Sequence, residues 1–175
     1  PEEASARAGD ATTGDGSTSS NTRKVLVLEP FEGTTGEGAA VNAVKDDNGN
    51  YLRCTAPWDS RKTEFQAARV EGDVTFPSNS RAEYMFYGCT NMVSCDLSDL
   101  DVSNVTWLER FFMGCSALTS VNVSTWDTSK VTSMSGMFSG CEKLTSLNLS
   151  NFKTSLVTSF YGMFSGCEVL GSLNL

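Results

Sequence analysis

The chain changes its hydrophobic period within a few residues. Val131, Met134, Met137, Phe138, Cys141 and Leu144 recur at spacings of three or four. Such spacing predicts a short helix or 3₁₀ turns. Leu147 and Leu149 then alternate around Asn148, which predicts a short strand with Asn148 on its opposite face. The polar runs WDTSKVT and FKTSLVT flank these pieces. They predict turns, with Ser and Thr hydroxyls available to loop backbone groups. One unit therefore reads as strand, turn, short helix, turn.

This pattern repeats with a fixed step. The letters MFSGC stand at Met137–Cys141 and again at Met163–Cys167. Cys89, Cys115, Cys141 and Cys167 are each 26 residues apart, as are Phe86, Phe112, Phe138 and Phe164, and the glycines Gly88, Gly114, Gly140 and Gly166. Two further columns, Cys95, Val121, Leu147, Leu173 and Leu97, Val123, Leu149, Leu175, are apolar throughout. A strict period in this range marks a solenoid, because one unit cannot bury its apolar face without a neighbour. The expected fold is a leucine-rich-repeat-like solenoid over residues 81–175, with a parallel sheet on one face and helical or 3₁₀ turns on the other. The Cys and Phe columns form its structural core ladder.

The preceding chain has a different character. Residues 1–22 hold no large apolar side chain and read as a linker or disordered tail. Residues 23–53 read as a small β element, with KVLVL as a strand and Asn48-Gly49 as a hairpin signal. Residues 54–80 read as a segment capping the first repeat, with Trp58 as its cover. The chain begins at Pro1 and stops at Leu175 within a repeat, and so reads as a fragment.

The stretch NVTWLERFFMGCSALTSVNVSTWDTSKVTSMSGMFSGCEKLTSLNLSNF closely resembles the BspA-like leucine-rich repeat surface proteins of bacteria. Its repeat is the variant also found in mycoplasma lipoproteins. The resemblance covers residues 76–175. Cys95 replaces the usual Leu, Ala82 stands where Met134 stands later, and Phe111-Phe112 replaces Met-Phe. All three positions stay apolar. The resemblance implies an extracellular protein attached to the cell surface, binding a host or bacterial surface protein or a matrix component. It implies no particular ligand.

Charge narrows the function. The net charge is -8, and His is absent. Residues 81–175 carry five basic and eight acidic side chains. An acidic surface disfavours nucleic acid, and the lack of His removes the usual general base and the commonest zinc ligand. No stretch is long and apolar enough for a membrane span. No Ser-His-Asp set, phosphate-cradling loop or paired carboxylates are evident. The expectation is a protein without enzymatic activity, cofactor or metal.

Candidate chemistry is correspondingly thin. The six Cys read first as buried thiols, because a thiol is compact and readily buried. A disulfide of Cys54 or Cys95 is the alternative. Asp96, Asp99 and Asp101 could supply oxygens to calcium, but read more simply as a solvated turn. Trp126 and Phe152 share a column with Leu100 and read as core packing. Trp107 shares its column with Ser133 and Ser159, and is a candidate contact residue.

The binding surface expected from sequence is the outward strand face. Its columns are Asp96, Asn122, Asn148, Asn174 and Ser94, Ser120, Ser146, Ser172. Their plainer reading is a solubilising surface. The function expected is non-enzymatic adhesion. The alternatives are a structural stalk, or a glycan-targeting module that uses Trp107 or the Asn column.

Overall fold

A computed structural model describes residues 62–70, 74–76 and 78–175 in full, and the backbone alone of Ala6–Ala11, Arg23–Leu28, Asn42–Lys45 and Tyr51–Thr55. These four backbone segments are strands β1 to β4 in that order. The remaining strands are β5 (Ala67–Val70), β6 (Val74–Thr75), β7 (Ser80–Arg81), β8 (Ser94–Asp96), β9 (Leu100–Asp101), β10 (Val105–Trp107), β11 (Ser120–Asn122), β12 (Ser146–Asn148) and β13 (Ser172–Asn174).

The strands form parallel ladders that wind as a solenoid. The first ladder runs β1-β2-β5-β8-β11, with β1 antiparallel to β2 and the rest parallel. β12 and β13 form a separate parallel pair. A second ladder pairs β6 with β9. A third pairs β7 with β10 and continues as single bridges from Trp107 to Ser133 and on to Ser159. The sequence pattern thus yields a repeat solenoid with a strand-bearing face.

Of the two forms expected, helix or 3₁₀ turns, the described residues take the turns and contain no helix. Successive turns follow the apolar spacing. Met137 donates its N–H to Met134, Cys141 to Phe138, and Leu144 to Cys141, each three residues back. Between these turns the chain bonds to the following coil. Phe86, Phe112 and Phe138 donate to the carbonyls of Phe111, Met137 and Met163, at 2.8, 2.8 and 2.9 Å. The reason is backbone handedness. Gly136 and Gly140 have φ of 64° and 73°, and two left-handed residues four apart stop an α-helix from propagating.

The core lies along the axis. Phe86, Phe112 and Phe138 are fully buried and stack ring on ring with Phe164. Centroid separations are 5.6, 5.4 and 6.0 Å. Trp126 is buried and stacks on Phe152, and its Nε1–H donates to the Leu97 carbonyl at 2.9 Å. Cys89, Cys95, Cys115 and Cys141 are buried free thiols, and Cys167 is a half-buried one. Cys115, Cys141 and Cys167 donate to the carbonyls of Phe86, Phe112 and Phe138. In the turn WDTSKVT, the buried Thr128 hydroxyl donates to the Lys153 carbonyl at 3.1 Å and accepts the Lys153 N–H at 2.8 Å.

The lead-in differs from the sequence expectation. Residues 62–81 do not merely cover the first repeat: β5, β6 and β7 occupy the three ladders as a coil in their own right. β2 extends the first ladder, so KVLVL belongs to the same sheet as the repeats. Within the segment read as a linker, Ala6–Ala11 pairs with β2 as strand β1. β3 and β4 pair antiparallel. The Asn48-Gly49 turn between them, Trp58, and the Cys54 side chain lie outside the described residues.

Candidate interaction surface

The first ladder exposes alternate side chains. Cys95 and Leu147 point into the core and are buried, and Val121 is half-buried. Their neighbours Asp96, Ser120, Asn122, Ser146, Asn148, Ser172 and Asn174 are exposed. The period of two along a strand produces this division. A groove of about 380 Å³ crosses the face of β5, β8 and β11, and its lining includes Arg69, Ser94, Asp96, Ser120 and Asn122.

The acidic and amide column has a structural task on its oxygen side. Asp96 Oδ1 accepts the Ser98 N–H at 3.2 Å and the Ser98 hydroxyl at 2.9 Å. Asn122 Oδ1 accepts the same two groups of Ser124, at 3.3 and 2.8 Å. Asn148 Oδ1 accepts the Ser150 N–H at 3.1 Å. Each closes an Asx-turn where the strand ends. Asn174 Nδ2 then donates to Asn148 Oδ1 at 3.1 Å. With Oδ1 so engaged, the face keeps the amide N–H groups of Asn122 and Asn148, the serine hydroxyls and the second carboxylate oxygen of Asp96 for a partner.

The acidic trio is not gathered into one site. Asp96 bonds back to Ser98, and Asp101 Oδ1 accepts the Ser103 N–H at 2.9 Å. Among the described residues no group of three or more His, Cys, Asp or Glu is placed to hold a metal.

Two features of this surface depart from the sequence expectation. Trp107 is not part of it. Trp107 lies on β10 in the third ladder, paired with Arg81 of β7. A period of 26 fixes recurrence but not which side of the coil a residue occupies. The sheet is also not continuous: β11 ends one sheet and β12 begins the next. The four-residue Ser and Asx columns therefore span two pieces.

Sequence reasoning missed Arg69. It pairs with Asp96 across β5 and β8, yet they are 27 residues apart rather than 26. A fixed step back from Asp96 lands on the buried Val70. The detectable signal was the alternation in AARV, with Ala68 and Val70 inward and Arg69 outward.

Three of the buried thiols are poor nucleophiles. Burial pushes Cys95 and Cys115 well above the usual thiol range and Cys141 up to about 12. A thiol held protonated is unreactive. A second cavity of about 390 Å³, lined by Met134, Leu149, Phe152, Phe160, Met163 and Phe164 among others, is apolar and continues the core. No helix of the described residues is long and apolar enough to cross a membrane.

None of the curated proteins compared with the chain matches it. Among solved structures, a leucine-rich repeat protein of T. pallidum (TpLRR) is similar at 16% identity and a TM-score of 0.32, over 86% of this chain and 74% of that one. One family model matches residues 80–174, the stretch that carries the repeats. The chain thus belongs to the family described as Mycoplasma protein of unknown function, DUF285, and is a BspA-like leucine-rich-repeat protein.

Proposed function

We propose that the chain is a non-enzymatic adhesion module. It acts outside the cell, attached to the cell surface, and binds a protein of a host, a neighbouring cell or a matrix. The observation that carries this reading is the exposed Ser and Asx face. Its inward neighbours Cys95, Val121 and Leu147 pack in the core, and Oδ1 of Asp96, Asn122 and Asn148 is fixed by Asx-turns. Such a face is preorganised, so little ordering entropy opposes docking. Amide donors and hydroxyls suit the polar surface of a folded partner. Arg69 beside Asp96 adds charge of both signs at one end.

The lack of His in the chain and the protonated, buried thiols support a binding role over a catalytic one. The test is binding of the chain to immobilised host matrix and bacterial surface proteins. A folded variant carrying Asp96→Lys, Asn122→Lys and Asn148→Lys serves as the comparison. Saturable binding weakened at least tenfold in the variant is the expected result. Binding that the three substitutions leave unchanged would move the contact to another face. No binding by the native chain would favour a spacer role.

A further inference from the structure

We infer that the third ladder holds a separate binding site for the pyranose ring of a neutral glycan, built on Trp107 and the polar chain that follows it. This site is on a different ladder from the Ser and Asx face and does not depend on that reading.

One face of the indole carries a cation. The Arg81 guanidinium lies 3.7 Å from its ring centroid. Arg81 is its ladder partner in the preceding coil, so the covered face looks backward along the solenoid. The other face looks toward the following coil. There the column continues as Ser133 and Ser159, which have no ring to stack. In the Phe column every ring meets the next; at Trp107 the stacking stops. Trp107 is half-buried, so the indole is rigidly held yet reachable.

Polar groups lie beside the other face, the buried Ser133 nearest along the ladder. Glu109 Oε1 accepts the Ser133 hydroxyl. Ser133 and Ser135 hydroxyls are 3.3 Å apart, and Ser135 and Ser159 hydroxyls 2.7 Å apart. The chain runs over two coil steps, a span of about 10 Å at the usual strand spacing. Tyr161 stands at its far end, 87% exposed, with its N–H 3.4 Å from the Ser159 hydroxyl. Glu109 Oε2 has only a loose contact with Arg110, at 3.9 Å, and keeps lone pairs for a ligand hydroxyl.

The chemistry selects a sugar over its competitors. A pyranose has an apolar C–H face and a rim of hydroxyls. The first suits the negative face of an aromatic ring, the second a carboxylate and hydroxyls that accept and donate. An extended peptide would need a free strand edge, but the Trp107 backbone is bridged on both sides. A nucleobase would also stack, but its phosphates would meet Glu109 and a chain of net charge -8.

The test is an array of neutral gluco-, galacto-, manno- and N-acetylglucosamine-type oligosaccharides probed with the whole chain, followed by titration with each that binds. The expected result is binding by at least one class. Trp107→Leu should weaken it at least tenfold, Trp107→Phe should keep most of it, and substitution of the exposed Glu142 (Glu142→Gln) should leave it unchanged. No binding to any class at millimolar concentration overturns the proposal. So does native-like affinity in Trp107→Leu. If Trp107→Leu fails to fold, Glu109→Gln carries the test: it keeps the shape and removes the charge, so a tenfold loss supports the site and unchanged affinity overturns it.

Discussion

Gly140 sits so close to Gly114 that a Cβ on Gly140 would lie 3.4 Å from both the Cα and the N of Gly114. The same column has φ of 78° at Gly114 and 73° at Gly140. Handedness demands glycine here, while the Cβ itself would meet the preceding coil at ordinary contact distance. Gly140→Ala should therefore destabilise the solenoid by about 1–3 kcal/mol. Urea unfolding should show a lower midpoint with little change in slope. An unchanged midpoint would mean that alanine adopts this left-handed conformation without cost.

The column beside it makes the opposite prediction. Tyr84, Arg110, Gly136 and Gly162 share a left-handed conformation, with φ of 61°, 54°, 64° and 63°. Two of these four carry side chains that disfavour it. Arg110 donates to the Tyr84 hydroxyl at 2.7 Å, which offsets part of the strain at a half-exposed site. Arg110→Gly removes both the strain and the bond. The two terms are similar, about 1 kcal/mol each, so the unfolding midpoint should barely move. A loss as large as that of Gly140→Ala would show that the Arg110–Tyr84 bond matters more than its exposure implies.

Thr128 ties one turn to the next through both of its hydrogen-bonding roles. It is fully buried, and both partners are backbone groups of Lys153. Thr128→Val keeps the shape but removes both hydrogen bonds to the exposed Lys153, at about 0.5–1.5 kcal/mol for each. Thr128→Ser keeps both bonds and should cost much less. Thermal unfolding of the pair separates the hydroxyl from the methyl. Equal loss in both variants would assign the effect to packing.

These cases show what the letters could and could not convey. The Phe86 and Cys89 columns were legible because stacking requires the same side chain at the same step. The Asx face was legible because Asn148 alternates with buried Leu147 and Leu149. The apolar spacing left helix and 3₁₀ turns open, because turns spaced by three place apolar residues much as a helix does. Gly136 and Gly162 were the contrary signal, muted by Arg110 in the same column. The third ladder was illegible because it continues through single bridging residues, too few to alternate. Arg69 was hidden by one extra residue, which broke the step without breaking the pairing.

The thiol column should make the fold sensitive to alkali. Cys115, Cys141 and Cys167 donate to the carbonyls of Phe86, Phe112 and Phe138 at 3.1, 3.4 and 3.1 Å. Burial raises all three, Cys141 from an ordinary 9.0 to about 12. Above pH 9 the unfolded chain gives up these protons while the native chain keeps them. The native state then binds more protons, so stability falls with rising pH. The contribution of Cys141 is fully present below about pH 9 and is lost as pH rises toward 12. Within that window one thiol contributes a slope of at most about 1.4 kcal/mol per pH unit. Lys and Tyr titrate there too, so the comparison is with Cys141→Ala. Urea midpoints at neutral and alkaline pH should fall less steeply in the variant than in the native chain. Equal slopes would mean that Cys141 exchanges its proton freely in the folded state, contrary to its burial.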